Sequence, residues 1–566
     1  MLKDAQLSHA VGGASPALLD LTIPQALDAT VSKWGDHEAI VSVHQDIRWT
    51  YSELAQKADA LAAGLLAIGM EKGDRVGIWS PNLAQWTLTQ FATAKIGVIL
   101  VNVNPAYRLS ELEFALHNVG VKAVVCPASY KTSMYAEMME ALAPEILSGN
   151  ADEDLNCAKL PDLKRVVLID DAPRAGWNSI ASLMERSTPE LTERVKKIEL
   201  ALDPDEPINI QFTSGTTGLP KGATLTHRNI LNNGYFVGLS IGLAAGDRLC
   251  IPVPLYHCFG MVMGNLACLV HGAAMVYPAE TFDPGATLAA VQKEKCTGLY
   301  GVPTMFIAQL AHPDIKAIDL SSLRTGCMAG SPCPVEVMKQ VVETMNMVDV
   351  TIAYGMTETS PVSFQSTPDD PIERRVSTIG RVLPHLECKI VDETGATVPP
   401  GTPGELCTKG YSVMLGYWGD KEKTAAVLDA VGWMHTGDLA TIDDAGYGNI
   451  VGRIKDMIIR GGENIYPLEI EEFFFTHPDI EDATIMGVPD EKYGEEVCLW
   501  VRIREGATIT PDEIRNFCKG QIAHYKIPRY IEIVDEFPMT VTGKIRKVEI
   551  REIMSKKLGL VASETA

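Results

Sequence analysis

Apolar and polar residues alternate along most of the chain in two periods, one typical of helices and one typical of strands. Residues 21–34 and 53–68 carry apolar side chains at helical spacing, and Ser52 is a candidate cap for the second segment. Residues 75–79 and 98–103 are short apolar runs of the kind that form buried strands. Strands separated by helices of this length indicate α/β units around a largely parallel sheet.

The alternation of helix-like and strand-like segments continues beyond residue 222. It changes after about residue 375 and again at Met457. Residues 228–238 have helical spacing, and residues 248–253 and 297–301 read as further strands. After about residue 375, shorter strand-like pieces with Gly/Pro turns predict a β-rich subdomain. From Met457 onward, about 110 residues with their own helices and strands are enough for a small α+β domain.

Composition narrows the class of protein. A chain of 566 residues is too long for one hydrophobic core, so several domains are expected. The formal net charge of −23 argues against a nucleic-acid-binding surface and against general adhesion to anionic membranes. The twelve cysteines include no CxxC pair, which disfavours a zinc knuckle. The most apolar passage, residues 258–270, is shorter than the roughly 20 residues of a membrane span, and the N-terminus has no signal-like pattern. We therefore expect a cytoplasmic protein without integral membrane association.

The stretch most suggestive of a ligand is residues 213–222, with the sequence TSGTTGLPKG. Glycines let the backbone approach a ligand closely, and clustered N–H groups with hydroxyls and a lysine suit a polyphosphate. The stretch differs from the Walker pattern because Lys221 is followed by Gly222. A glycine-rich surface loop is the simpler alternative, but the strand-like residues just before the stretch favour a phosphate loop.

Further stretches hold side chains suited to a nucleotide. In AYGMTET, Tyr354 offers a flat face for a base, Thr357 a hydroxyl for phosphate and Glu358 a carboxylate for Mg²⁺. In WMHTGDL, Asp438 follows a turn glycine and could grip two ribose hydroxyls. In PMTVTGK, Lys544 stands on a glycine turn. Taken alone, these stretches also fit a helix cap, a turn aspartate and a solvated lysine.

Together with GRIKD and GGENIYP, these motifs stand in an order and at spacings that resemble the signature of the adenylate-forming enzymes. The chain is most similar to their acyl-CoA synthetase branch, from about Leu21 to Leu558. The resemblance implies an α/β fold in which a large N-terminal domain, residues 1–455, combines layered α/β subdomains with the β-rich subdomain. A small, mobile α+β C-terminal domain, residues 456–566, would follow a hinge at Asp456. ATP and coenzyme A are implied as substrates and Mg²⁺ as the cofactor.

The resemblance also implies a role for each matched nucleotide-site residue. The loop that wraps the β- and γ-phosphates of ATP corresponds to Thr213, Ser214, Gly215, Thr216, Thr217, Gly218, Leu219, Pro220 and Lys221. The adenine-binding loop corresponds to Gly330, Ser331 and Pro332, with Tyr354 stacking on the base. Asp438 matches the ribose-hydroxyl acceptor, supported by Arg453.

The catalytic residues are implied in the same way. Thr357 matches the α-phosphate contact, Glu358 the magnesium ligand and Lys544 the lysine that bridges the carboxylate and the α-phosphate. His257 matches the aromatic gate beside the acyl group. In the family, the small domain rotates between half-reactions and exchanges Lys544 for the face that carries Gly461 and Gly462.

The expected reaction joins a small-molecule carboxylic acid to CoA through an acyl-adenylate, with release of pyrophosphate and then AMP. The overall sequence of the chain is most similar to those of the medium-chain fatty acyl-CoA synthetases. The predicted acyl pocket is rich in methionine, which suits an alkyl or aryl tail. An aryl or aryl-alkanoic acid, a carrier-protein thiol acceptor and an inactive binding protein remain alternatives. A homodimer is considered as the oligomeric state. Predicted pocket walls are residues 256–264, 327–329, 355–356 and 359–362.

Overall fold

The computed structural model describes residues 7–170, 172–213, 220–461, 463–490, 492–540 and 544–559. Its strands are β1 (His9–Val11), β2 (Glu38–Ser42), β3 (Ile47–Thr50), β4 (Arg75–Trp79), β5 (Ile99–Val103), β6 (Ala123–Cys126), β7 (Arg165–Leu168), β8 (Asn178–Ser179), β9 (Pro207–Thr213), β10 (Lys221–Thr226), β11 (Arg248–Cys250), β12 (Ala274–Tyr277), β13 (Gly298–Gly301), β14 (Thr325–Ala329), β15 (Asp349–Gly355), β16 (Val362–Gln365), β17 (Arg381–Val382), β18 (Leu386–Val391), β19 (Gly404–Gly410), β20 (Gly416–Tyr417), β21 (Met434–Ile442), β22 (Gly448–Arg453), β23 (Ile458–Arg460), β24 (Glu463–Ile465), β25 (Ile480–Asp490), β26 (Gly494–Ile503) and β27 (Tyr530–Ile533).

The described α-helices lie between these strands. They are α1 (Ile23–Trp34), α2 (Tyr51–Ala67), α3 (Ala84–Lys95), α4 (Leu109–Asn118), α5 (Tyr135–Leu142), α6 (Ile180–Glu185), α7 (Pro189–Leu200), α8 (His227–Ser240), α9 (Ala267–His271), α10 (Pro284–Glu294), α11 (Pro303–Leu310), α12 (Val335–Thr344), α13 (Ile372–Ser377), α14 (Lys421–Ala425), α15 (Pro467–Phe475), α16 (Pro511–Cys518) and α17 (Lys547–Leu558). A π-helix, Phe259–Leu266, runs directly into α9. Among the described helices, none combines the length and the apolar character that a membrane crossing requires.

Two large sheets form the N-terminal part of the molecule. One has eight strands in the order β20-β10-β9-β5-β4-β6-β7-β8, and the other has nine in the order β17-β16-β15-β14-β13-β11-β12-β2-β3. Strands β4 to β9 pair in parallel with one another, as do β2 and β11 to β15, and the outer strands of each sheet add antiparallel pairs. The α/β units with a largely parallel sheet that the sequence predicted are therefore confirmed.

One hydrophobic core joins the two sheets. It contains buried side chains of α1, α2, α3, α8 and the π-helix together with residues from both sheets, such as Ile78 of β4 and Met275 of β12. Separate clusters cover the outer face of each sheet. This arrangement of sheet, helices and sheet confirms the layered large domain.

The start of α2 differs from the predicted one. Ser52 lies inside the helix, and Thr50 is its N-cap. The Thr50 hydroxyl accepts a hydrogen bond from the Glu53 N–H at 3.2 Å, while the Glu53 carboxylate accepts one from the Thr50 N–H at 2.8 Å. This reciprocal pair is a capping box, and it satisfies two backbone donors at the start of the helix.

The two predicted additions to the α/β core are present. A five-stranded sheet, β1-β18-β19-β21-β22, forms the β-rich subdomain, and a further sheet, β24-β23-β26-β25 with β27, forms the small α+β unit. Its core, which includes Ile470 and Ile514, is a separate hydrophobic cluster. The fold class is therefore confirmed, whereas the boundary between residues 455 and 456 stays a prediction.

Candidate active site

The predicted site residues lie at the carboxyl ends of parallel strands, where open α/β sheets bind their ligands. Strand β9 ends at Thr213, β14 ends just before Gly330, and β15 ends at Gly355. The β-rich subdomain contributes β21, which carries Asp438, and the end of β22.

The glycine-rich stretch connects two antiparallel neighbours, β9 and β10, in which Thr213 pairs with Lys221. The Thr213 hydroxyl donates a hydrogen bond to Oε1 of Glu358 at 3.3 Å. Pro220 is half-buried between the strands. The predicted phosphate contacts from Ser214, Gly215, Thr216, Thr217, Gly218 and Leu219 lie outside the described residues.

Glu358 lies on a short turn, Thr357–Thr359, with only 5% of its surface exposed. The turn requires Gly355 just before it, because a Cβ at that position would lie 1.7 Å from the Pro361 carbonyl oxygen. The close approach of the backbone therefore explains the glycine in AYGMTET. This close backbone contact keeps Thr357 and Glu358 next to the carboxyl end of β15.

Tyr417 connects Glu358 to Lys221, and sequence reasoning missed it. Its hydroxyl donates to Oε1 of Glu358 at 2.8 Å and accepts a hydrogen bond from Nζ of Lys221 at 3.0 Å. The ammonium also lies 4.3 Å from the centre of the Tyr417 ring. Burial, together with the Glu358 charge, raises the pKa of Tyr417, so the phenol keeps its proton. Its local sequence, LGYWG, carries no signal for this role, which arises only when β20 pairs with β10.

We expect Tyr417→Phe to lower kcat/KM for ATP about 10- to 100-fold, because hydrogen bonds to two charged groups are lost at a net cost of about 1.5–3 kcal/mol. Steady-state kinetics with varied ATP and Mg²⁺ measure this. Tyr447→Phe is the matched control, since the Tyr447 hydroxyl donates to Asp370 at 2.6 Å, away from the strand ends. Equal losses in the two variants would contradict a specific role for Tyr417.

A second group of side chains surrounds Asp438. Tyr354 donates to Oδ2 of Asp438 at 2.7 Å, and Nε of Arg453 lies 3.1 Å from Oδ1. Asp438 and Arg453 are register partners on β21 and β22, so the pairing of the two strands places them together. Each carboxylate oxygen retains a lone pair for a further donor, as a grip on ribose hydroxyls requires.

Glu405 holds the irregular part of β21 that precedes Asp438, and it too was missed. It accepts hydrogen bonds from the Gly437 N–H at 3.1 Å and from Nδ1 of His435 at 2.8 Å. Gly437 has a φ of 71°, a conformation that favours glycine. Because Glu405 lies on β19, next to β21, this contact follows from the sheet and not from the local sequence.

The predicted adenine loop lies beside Tyr354. Ala329 pairs with Ala353 at the ends of β14 and β15, so Gly330 and Tyr354 follow at adjacent strand ends. Gly330, with a φ of 93°, is exposed, as is Pro332, whereas Ser331 is half-buried. An exposed loop beside Tyr354 suits a base that stacks on one aromatic face.

His257 is held in one neutral form. Its Nδ1 accepts a hydrogen bond from the Phe259 N–H at 3.1 Å, so the ring carries its proton on Nε2. Burial, reinforced by the positive charge of Lys544, lowers the pKa of His257 to about 3. The neighbouring Cys258 places its Sγ 4.0 Å from Oγ1 of Thr357. A neutral imidazole at this position suits a wall of the acyl site. It does not suit a role for His257 as a protonated general acid at neutral pH.

The pH–rate profile of adenylation should therefore contain no ionisation of His257 between about pH 6 and pH 8, because the ring stays neutral above its lowered pKa. His257→Gln should change the rate or the acyl preference but leave the shape of the profile unchanged. Loss of an ionisation near pH 6.5 in this variant would show that the wild-type ring titrates during turnover.

Lys544 reaches this group from the C-terminal part of the chain. Its backbone closes a short turn in which the Thr540 N–H donates to the Lys544 carbonyl at 2.8 Å and the Lys544 N–H donates to the Thr540 hydroxyl at 3.1 Å. Burial, followed by the positive charge of Arg453, lowers the pKa of Lys544, while the nearby Asp438 and Glu358 oppose that shift. Lys544 is thus buried within electrostatic reach of both carboxylates.

Gly461 makes its described contacts elsewhere. It is exposed in the turn between β23 and β24, with a φ of 60°, and its N–H donates to the Tyr493 carbonyl at 2.8 Å. Gly462 lies outside the described residues. Asp456 ends a short turn, Ile454–Asp456, directly after Arg453. The predicted exchange of Lys544 for the glycine face, and the hinge, stay predictions.

An open α/β fold that brings Thr213 and Lys221 close to the buried Glu358, with Asp438 and Arg453 paired on the adjoining sheet, is typical of a nucleotide-binding enzyme. The chain belongs to the family of AMP-binding enzymes: the family model matches residues 27–418, and the model of the AMP-binding enzyme C-terminal domain matches residues 469–544. The resemblance to the adenylate-forming superfamily is therefore confirmed.

Similar proteins cover almost the whole chain. Medium-chain acyl-CoA ligase ACSF2, mitochondrial, from Danio rerio is 49% identical over 556 residues, which are 98% of this chain and 91% of that protein. The protein of the same name from Homo sapiens is 44% identical over 560 residues, or 98% and 91%. The crystal structure of ATP-bound MatB from Rhodopseudomonas palustris is 27% identical, with a TM-score of 0.81 over 94% of this chain and 99% of that one. Because these ACSF2 proteins are named mitochondrial, a cytoplasmic location stays a prediction.

Proposed function

We propose that this protein is an ATP-dependent acyl-CoA synthetase. A carboxylic acid and ATP would give an acyl-adenylate and pyrophosphate, and the thiol of CoA would then give the acyl-CoA and AMP. The observation that carries the proposal is the burial of Lys544 within electrostatic reach of Asp438 and Glu358, which lie at and beside the strand ends. The similarity to proteins named acyl-CoA ligases, over nearly the whole chain, supports it.

The nucleoside part of ATP is assigned to the group around Asp438. The carboxylate would accept hydrogen bonds from the ribose hydroxyls, and Arg453 would hold it in position. The Tyr354 ring, fixed through its hydroxyl at 2.7 Å from Asp438, would stack on the adenine beside Gly330 and Ser331. A rigid grip on the nucleoside leaves the α-phosphate at a constant place relative to the strand ends.

The phosphates are assigned to Thr213, Lys221 and the loop between them, with Thr357 at the α-phosphate. In the first half-reaction a carboxylate oxygen of the acid attacks the α-phosphorus, and the bond to the bridging oxygen of pyrophosphate breaks. Negative charge collects where the acid meets the phosphate. Lys544 would neutralise this charge, so its contribution is electrostatic and positional.

Glu358 is the proposed holder of Mg²⁺. It is a buried carboxylate, and its described hydrogen bonds from Thr213 and Tyr417 both fall on Oε1, which leaves Oε2 for a cation. Nucleotide-bound Mg²⁺ is satisfied by one or two carboxylates together with phosphate oxygens and water, so this donor set fits. When bound, the ion would neutralise charge on the departing pyrophosphate.

The second half-reaction requires the CoA thiol to lose its proton and attack the acyl carbonyl carbon, with AMP as the leaving group. We assign CoA to a conformation in which the face carrying Gly461 and Gly462 replaces Lys544, with the change in backbone angles absorbed at Asp456. The exposed position of Gly461 is compatible with such an exchange.

Medium-chain fatty acids are the proposed substrates. The similarity to ACSF2 supports them, and Met261 and Met263 of the π-helix are apolar wall candidates near His257. Met328 departs from the predicted lining. Strand alternation turns its side chain into the cluster on the outer face of the sheet, whereas Cys327 and Ala329 face the core that contains Met261.

A panel of acids tests this assignment through CoA-dependent AMP release. Butyrate, octanoate, decanoate and palmitate should give a maximum of kcat/KM at octanoate or decanoate, with benzoate and phenylacetate slower. A maximum at an aryl acid would overturn the proposed acid but leave the ligase reaction intact. If the enzyme turned over with a carrier-protein thiol and not with CoA, the carrier protein would be the thiol acceptor instead of CoA. Oligomeric state, proposed as a homodimer, is measured separately by light scattering.

A further inference from the structure

Glu471 is a buried carboxylate away from the strand ends. It forms an ion pair with Lys547, the residue at which helix α17 begins, three positions after Lys544. It lies on α15 with 8% of its surface exposed. Nζ of Lys547, the first residue of α17, lies 2.7 Å from Oε1 of Glu471 and also donates to the Ile485 carbonyl at 3.1 Å. The ion pair therefore joins helix α15 to the start of α17.

The same carboxylate oxygen is anchored to strand β25. It accepts hydrogen bonds from the Ile485 N–H at 2.7 Å and from the Thr484 hydroxyl at 3.2 Å. With Lys547, this gives Glu471 three donors from two different elements. A buried charge with so many partners is costly to disturb, so its geometry is strongly determined.

The anchored end of α17 is directly connected to the turn that carries Lys544. The Arg546 N–H donates to the Pro538 carbonyl at 2.8 Å, and Met539 pairs with Ile545 in a short antiparallel bridge. Lys547 lies three positions after Lys544, a span of at most about 11 Å of extended chain. Movement of the Lys547 ammonium would therefore move the base of this turn.

Helix α15 also faces the large domain. It contacts β22, the strand that ends at Arg453 beside Asp438. The next residue, Glu472, has a pKa raised by burial and then by the charge of Glu471. One short helix thus contacts both the strand that carries a nucleotide-site residue and, through Glu471, the base of the Lys544 turn.

We propose that the Glu471–Lys547 ion pair is a positioning device for Lys544. It fixes the segment of chain that links Lys544 to α17 relative to α15 and β25, and so sets where the Lys544 side chain enters the site. Neither residue of the pair contacts the nucleotide site itself. The inference rests on the proposed function, because the half-reaction that depends on Lys544 is the one that the pair serves.

Lys547→Met keeps the length of the side chain and removes its charge, so it tests the proposal. Acid-dependent exchange between ATP and pyrophosphate reports adenylation, and thioester formation from a supplied acyl-adenylate reports the second half-reaction. A shift of about 1 Å in a reacting group costs up to about 100-fold in rate. We expect a 10- to 100-fold loss of kcat for adenylation, with KM for ATP and thioester formation changed less than about threefold.

Lys557→Met is the matched control. Lys557 lies on the same helix and pairs with Glu532 at 2.7 Å, but its side chain is 56% exposed. This variant should retain both half-reactions, because an exposed pair far along the helix does not determine the turn.

Unchanged adenylation in Lys547→Met, or equal losses in both half-reactions, would overturn the proposal. If Lys547→Met does not fold, Glu471→Gln decides by the same two measurements, since glutamine retains the acceptor for the Ile485 N–H and loses the charge. Failure of the proposed function itself would appear differently, as a wild-type protein without acid-dependent exchange.

Discussion

Lys544→Ala is expected to lower the rate of acyl-adenylate formation about 100- to 1000-fold while leaving thioester formation from a supplied acyl-adenylate within about threefold of wild type. Lys544 is buried within electrostatic reach of Asp438 and Glu358, and in the proposed reaction negative charge develops there during attack on the α-phosphate. Removal of one well-placed electrostatic group from such a site typically costs two to three orders of magnitude. Acid-dependent ATP–pyrophosphate exchange and single-turnover thioester formation measure the two rates.

Lys556→Ala is the control for that variant. Lys556 is exposed in the last turn of α17, so its loss removes one positive charge from the same part of the chain without touching the site. It should leave both half-reactions unchanged. A Lys544→Ala enzyme that lost both half-reactions equally would contradict the assignment of the lysine to adenylation.

Asp438→Asn is expected to raise KM for ATP about 10- to 100-fold. The substitution keeps the shape of the side chain but removes the charge that accepts hydrogen bonds from Tyr354 and, in the proposed complex, from the ribose. Each hydrogen bond to a charged group contributes about 1.5–3 kcal/mol. Arg453, half of whose side chain is exposed, can turn to solvent, so the fold should survive. Initial rates with varied ATP measure the effect.

Asp443→Asn is the matched control, since Asp443 lies on the turn that follows β21 and pairs with Arg374 at 2.6 Å. KM for ATP should be unchanged in this variant, and KM for CoA should be unchanged in both. A wild-type KM for ATP in Asp438→Asn would mean that the nucleoside binds elsewhere.

Much of the fold follows from local patterns. Residues 75–79 form β4 as the apolar run predicts, and the helical spacing of residues 21–34 corresponds to α1, which begins two residues later. Apolar periodicity records which faces are buried, so it predicts elements and their order well. The π-helix at Phe259–Leu266 was not predicted, because its apolar residues do not distinguish it from an α-helix.

Some residues of the candidate site could be predicted from local sequence, and others could not. Tyr354, Thr357 and Glu358 are neighbours in sequence, and a glycine that only a close backbone contact explains keeps them at one strand end. Tyr417, Glu405 and Glu471 act through partners on other elements, 59, 32 and 76 residues away in the sequence. Pairing of β20 with β10 and of β19 with β21 creates two of these contacts. No short motif can carry information that arises only when distant strands meet.

Acid-dependent exchange between ATP and labelled pyrophosphate, measured in the absence of CoA, tests the central claim most directly. If Lys544, Asp438 and Glu358 hold an acid against the α-phosphate, decanoate should support rapid exchange without CoA, and AMP should accumulate only when CoA is added. Formation of ADP and phosphate, or exchange that strictly requires CoA, would contradict a reaction through an acyl-adenylate.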